Sequence, residues 1–128
     1  MLSHVTLGTD DVARAGRFYD AVLAPLGLGR IESLEGAIGY ARGAEATPQF
    51  WIMRPFDGGA ARAGNGVTIA FEAADRAAVE AFHAAALAAG GRCEGPPGLR
   101  PHYHPDYYGA YARDPDGNKI ACACHRPA

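Results

Sequence analysis

The chain has 128 residues, the size of one domain and long enough to bury a substantial core. Hydrophobic residues make up 48% and charged residues 20%, and twelve Lys+Arg against fourteen Asp+Glu leave a formal net charge of −2, an ordinary globular balance with no basic run for nucleic acid or an anionic membrane. No apolar stretch reaches the roughly 18–20 residues of a membrane span, and the start Met1-Leu2-Ser3-His4 lacks the basic and apolar regions of a signal peptide.

In chain order, Val5 and Leu7 alternate with His4 and Thr6, the period of a half-buried strand. Asp10 or Asp11 can cap a following helix, whose apolar stripe is Val12, Ala15, Phe18, Tyr19 and Val22, with Gly27 behind it as a left-handed terminator. Strands are expected near Gly29–Ser33, Ala37–Arg42 and Gln49–Arg54. A connector rich in Gly and Ala runs from Asp57 to Asn65. Val67, Ile69 and Phe71 then form one face of a strand, with Thr68 and Ala70 opposite. A second helix follows, capped by Asp75, with Val79, Phe82, Ala86 and Leu87 on its apolar side and Gly90-Gly91 at its end. Gly109–Arg113 and Lys119–Cys124 read as two strands around Asp114-Pro115-Asp116-Gly117-Asn118, whose Pro and Gly supply turn dihedrals.

These elements repeat. A shift of 64 sets Val5-Thr6-Leu7 on Ile69-Ala70-Phe71, Phe18 on Phe82, Leu23 on Leu87 and Gly27 on Gly91. The expectation is an α+β chain, a single domain over 1–128 of two tandem βαβββ modules, about 1–60 and 64–128, forming a curved mixed sheet with a central cleft. Val5, Leu7, Val67, Ile69, Phe71, Ile120, Cys122 and Cys124 would face the helices. His4, Thr6, Thr68, Ala70, Ala121 and Ala123 would face the cleft. Cys93, Cys122 and Cys124 are too few for a disulfide scaffold, so the expected setting is the cytoplasm, with reduced thiols.

The stretches His4-Val5-Thr6-Leu7, Phe18-Tyr19, Leu26-Gly27, Gly64-Asn65-Gly66-Val67 and Tyr111 through Ile120, with the turn Asp114-Pro115-Asp116-Gly117-Asn118, resemble the vicinal oxygen chelate superfamily of glyoxalase I, bleomycin-resistance proteins and extradiol dioxygenases. The resemblance covers essentially the whole chain. It implies a divalent metal held at four cavity-facing strand positions by His, Glu or Gln. Carried onto this sequence, these positions are His4, Thr68, Ala121 and either Gln49 or Phe50. A shift of 71 maps Ala121 onto Phe50 and Tyr40-Ala41-Arg42 onto Tyr111-Ala112-Arg113, and so favours Phe50. His4 is then the one matching ligand. Ala121 has no lone pair and Thr68 has a neutral hydroxyl, where a catalytic divalent ion needs about three fixed donors.

The segment Pro101–Tyr111 holds four of the six tyrosines and two of the five histidines. Two readings apply to it. His102 and His104 with His4 would make an irregular three-histidine metal site. Alternatively, His102, His104, Tyr107 and Tyr108 close over the cleft as an aromatic wall. Arg54, after Trp51 on a cavity-edge strand, is a further ligand-binding candidate, and His125 reads as part of a frayed polar tail.

The functional expectation is a small organic molecule bound in the cleft by His4, Phe50, Arg54, Thr68, His102, His104, Tyr107, Tyr108 and Ala121. His4 would be the general base of any reaction, since histidine is the side chain whose unperturbed pKa lies near neutrality. No cofactor is expected. The competing reading is a metal-dependent lyase or dioxygenase of the glyoxalase type with an atypical site. A drug-sequestering resistance protein is a third. The apolar run Phe50-Trp51-Ile52-Met53 and open sheet edges point to a homodimer.

Overall fold

A computed structural model describes residues 1–128. The first module runs β1 (Val5–Gly8), α1 (Val12–Leu23), β2 (Leu28–Ser33), β3 (Ala37–Arg42) and β4 (Phe50–Met53). The second runs β5 (Ile69–Glu72), α2 (Arg76–Ala88), β6 (Arg92–Leu99), β7 (Tyr108–Arg113) and β8 (Lys119–Cys124). Each module carries its own four-stranded mixed sheet, ordered β1-β4-β3-β2 and β5-β8-β7-β6. In both, the first strand pairs parallel with the last and the other pairings are antiparallel. The duplication is therefore a duplication of topology.

The helices begin where side-chain oxygens can take up free amide groups. Asp11 accepts from Arg14 N at 3.0 Å, and Asp75 from Ala78 N at 2.8 Å. The apolar stripe of α1 is buried throughout. On α2, Val79, Phe82 and Ala86 are buried, but Leu87 is 44% exposed and does not repeat the buried Leu23. Val67, expected on a core face, lies before β5 and is also exposed.

Strand β6 escapes a sequence reading because its centre is Gly95-Pro96-Pro97-Gly98. Proline has no amide hydrogen to give to a ladder, so such a segment survives only at an edge. β6 is an edge strand, and its pairing with β7 slips twice, between Cys93 and Gly95 and between Gly95 and Gly98.

One continuous core joins the modules. It includes Phe18, Tyr19, Phe50 and Ile52 from the first and Phe71, Phe82, Ile120 and Cys122 from the second. At its centre Phe50 stands edge-on to Phe71, with ring centroids 5.1 Å apart, and 4.9 Å from Tyr19.

The Asp114–Asn118 turn does more than reverse the chain. Asp114 is 3% exposed and accepts four hydrogen bonds. They come from Tyr19 Oη at 2.6 Å, Asn118 Nδ2 at 3.0 Å, and the backbone amides of Asp116 and Asn118 at 2.9 Å each. Asn118 Nδ2 also donates to the Gly8 carbonyl at 3.0 Å, and Arg14 pairs with Asp116 at 2.9 Å. The turn thus ties β8 of the second module to β1 and α1 of the first. Burial beside the Asp114 carboxylate raises the Tyr19 hydroxyl well above its ordinary pKa, so it remains a donor. Burial also raises the Asp114 carboxyl, against the hydrogen bonds from Tyr19 and Asn118.

Candidate functional site

Strand pairing fixes which side chains face away from the helices. Val5 lies beside Phe50 and Ile69 beside Ile120, so the repeat equates Phe50 with Ile120. Phe50 is 1% exposed and packs among Tyr19, Tyr40 and Phe71 on the helix side. The expectation that Phe50 faces an open cleft is therefore corrected by one residue, and Gln49 and Trp51 take the outer face. The cause is unequal turn length. The ladders equate Tyr40 with Ala112, an offset of 72, and Phe50 with Ile120, an offset of 70, because the turn 43–49 is two residues longer than 114–118. The shift of 71 is the mean of the two.

The corrected register exposes a size inversion. Trp51 and its cross-strand neighbour Gly39 occupy the places of Ala121 and Tyr111 in the second module. A Cβ on Gly39 would lie 2.8 Å from Pro48 and 3.0 Å from the Trp51 ring, so Pro48 and the indole together leave room only for glycine there. In the second module the ring belongs to Tyr111 and the small partner is Ala121. Ala121 is on the face its parity predicts, but it is 1% exposed and borders no cavity, so it does not provide the expected open floor. Ala121→Trp would overpack this interior and is expected to cost about 1–3 kcal/mol, read from the urea midpoint.

An apolar-walled pocket, open to solvent, lies elsewhere, at the seam between the modules. A cavity of 360 Å³ opens between β5 and the starts of β1 and β4. Phe50, Phe71, Val5 and Ile69 give it apolar walls. Arg42, Gln49, Thr68 and Glu72 give it polar groups. Arg42 spans the modules here, donating from Nε to the Leu26 carbonyl at 3.1 Å and from Nη2 to the Glu72 carbonyl at 2.9 Å. A guanidinium fixed by two backbone carbonyls retains further N–H groups for an acceptor in the cavity.

A second constellation covers the outer face of the second module. Tyr107 and Tyr111 share a hydroxyl hydrogen bond of 2.9 Å, and Arg100 and Lys119 lie over the Tyr111 ring at 5.5 and 5.4 Å. His104 Nε2 lies 2.9 Å from His125 Nδ1, and the two rings stack. The Asp106 amide donates to His104 Nδ1 at 3.2 Å. A neutral His104 therefore carries its proton on Nε2 and donates it to His125. That tautomer leaves Nε2 no lone pair for a metal. His125 is thus a participant in this patch, not a frayed tail. No pattern in the sequence marks the pairing, which spans 21 residues.

The expected site residues fall in separate places. Phe50 and Thr68 reach the seam cavity. His104 and Tyr107 belong to the aromatic patch, with His102 exposed at its margin and its ring tilted against Tyr103. Tyr108 is corrected: it lies on the helix side of β7, donates to Glu80 at 3.2 Å and carries Arg76 over its ring. Arg54 is exposed on the first module beside Gly36, outside the seam. His4 is exposed and pairs with the Ser3 hydroxyl at 2.9 Å. Arg42 and Glu72 join the cavity from strand ends, a place that carries little sequence signal, and Phe71, expected to face the helices, also lines it.

The residues present do not fit the metal implied by the superfamily resemblance. In the corrected register the matched strand positions offer one imidazole, a hydroxyl, a methyl and the Trp51 indole. No three His, Cys, Asp or Glu side chains come together as an ion would require.

The family model for the Glyoxalase/Bleomycin resistance protein/Dioxygenase superfamily matches residues 1–122, and the chain belongs to that superfamily. A glyoxalase/bleomycin resistance protein from Albidiferax ferrireducens is 42% identical, with 99% of each chain covered and a TM-score of 0.85. A lactoylglutathione lyase from Agrobacterium tumefaciens shares the fold at 22% identity, covering 97% of this chain and 92% of its own, with a TM-score of 0.67. The fosfomycin resistance protein FosX from Mesorhizobium loti does so at 20% identity, covering 98% and 92%, also with a TM-score of 0.67. No curated protein sequence matches the chain. No helix is long and apolar enough to cross a membrane.

Proposed function

We propose that this chain binds a small organic molecule without a metal ion, in the seam cavity between its two modules. The observation that carries the reading is a mostly apolar 360 Å³ space, with the Arg42 guanidinium positioned at it. The ligand it suits is largely apolar, with one acceptor group, such as a carboxylate, for Arg42. The metal-dependent lyase or dioxygenase reading has no donor set behind it. In this reading His4, paired with Ser3 at the surface, is a peripheral polar group and not a general base.

A thermal-shift screen with small aromatic and aliphatic carboxylates tests this. A ligand present at about 100 times its Kd stabilises the fold by about 2.7 kcal/mol. Wild-type protein should show such a rise. Thr68→Trp, which fills the cavity from an exposed position, should abolish it without lowering the ligand-free Tm. A screen with no hit, or a shift that survives Thr68→Trp, rejects the seam as the binding site.

The functional unit we propose is a two-fold homodimer in the cytoplasm. Strands β1 and β5 each have one unpaired edge, and Leu2 and Val67 lie exposed beside them. Light scattering at micromolar concentration should give twice the 13.4 kDa chain mass. A value near one chain mass overturns the dimer.

A further inference from the structure

Cys93 and His83 meet on the face of the second module opposite the aromatic patch. Cys93 projects from β6, an edge strand, and is exposed to solvent. His83 comes from α2, and its Nε2 lies 3.2 Å from Cys93 Sγ. His83 is 8% exposed, and Cys93 is the one hydrogen-bond partner of its ring. A histidine nine-tenths buried and aimed at an accessible thiol is a base beside a nucleophile.

We propose that Cys93 and His83 form a thiol–imidazole pair that reacts with low-molecular-weight disulfides, making Cys93 a site of S-thiolation. In its accepting tautomer the His83 ring carries its proton on Nδ1 and offers Nε2 to the thiol. The Cys93 S–H proton passes to Nε2 as Sγ attacks one sulfur of the incoming disulfide. The new Sγ–S bond forms as the old S–S bond breaks. The departing thiolate then takes the proton back from Nε2 and leaves as a thiol. Cys93 is oxidised from thiol to mixed disulfide, and the incoming disulfide supplies both the oxidant and the leaving group. This chemistry uses the imidazole twice, first as acceptor and then as donor.

Two further facts agree. Burial lowers the His83 pKa below the ordinary histidine value, which keeps the ring neutral and able to accept at pH 7. Cys122 and Cys124 are buried, and burial pushes the Cys122 thiol up to about 12, so neither competes at the surface nor resolves the mixed disulfide.

The test uses hydroxyethyl disulfide, which is neutral and small, at pH 7. Intact mass gives the rate, digestion gives the site, and a short peptide of the sequence around Cys93 serves as the reference thiol. We expect one adduct per chain, on Cys93, formed about tenfold or more faster than on the peptide. His83→Gln should fall to the peptide's rate with an unchanged circular dichroism spectrum. Three results overturn the proposal: a wild-type rate no greater than the peptide's, a folded His83→Gln that reacts as fast as wild type, or an adduct on Cys122 or Cys124. If His83→Gln fails to fold, the comparison of wild type with peptide decides alone.

Discussion

Replacing Asp114 with alanine is expected to destabilise the fold by about 3–5 kcal/mol, the largest loss from any single polar side chain here. The Asp114 carboxylate accepts from Tyr19, from the Asn118 side chain and from two backbone amides, and it is almost fully buried. Removing it leaves four donors without an acceptor in a region where water enters only at a cost. Because Asn118 also holds Gly8, the damage reaches the contact between modules. Domain stabilities are about 5–15 kcal/mol, so Asp114→Ala should remove a large part of the total and lower Tm by roughly 10–20 °C. Tyr19→Phe deletes only one of the four donors and should cost about 1–2 kcal/mol. Urea unfolding followed by circular dichroism measures both. An Asp114→Ala protein within 1 kcal/mol of wild type would show that the turn does not join the modules as described.

Phe50→Ala is expected to cost about 3–5 kcal/mol. The ring touches aromatic neighbours from α1, β3 and β5, so its loss opens a void at the point where both modules contribute to one core. A ring on an open cleft would give a different result, since its removal would cost little and alter only binding. The same unfolding experiment separates the two. A loss under about 1 kcal/mol would restore Phe50 to the outer face and undo the corrected register.

Much of the fold was legible because the apolar periodicity is regular. The stripe Val12, Ala15, Phe18, Tyr19, Val22 and the residues Leu7 of β1 and Phe71 of β5 match the face the structure buries, whereas β8 is buried on both faces. Asp75 was readable as a cap, and so was the pair Asp10 or Asp11, of which the structure uses Asp11. Strand β6 was not legible, since it breaks the composition rules for strands and exists only by pairing at an edge. The register of β4 failed for a local reason, the unequal turns, which no single repeat shift can represent.

The site was less legible than the fold. The aromatic loop was expected to close over the cleft with His102, His104, Tyr107 and Tyr108; instead Tyr103, Tyr107 and His104 pack together on the outer face of the second module, and Tyr108 turns to the helix side. The loop's partner His125 is sequence-distant and was missed. The seam cavity depends on how the two modules pack, and Arg42 and Glu72 come together there by tertiary contact alone. The turn Asp114–Asn118 was legible as a turn, but its role as a tie between modules follows from Tyr19 and Gly8, which lie about 100 residues away.

The matched strand positions of this superfamily member lack the donors of a metal site, and we propose a metal-free binding cavity instead. Elemental analysis of protein expressed in medium supplemented with zinc, nickel, iron and manganese tests it most directly. His4 is the one imidazole at the matched positions, and Thr68, Ala121 and Trp51 add only a neutral hydroxyl, so far less than one equivalent of any divalent ion per chain is expected. One equivalent of bound metal per chain, removed by a chelator and lost in His4→Ala, would contradict it.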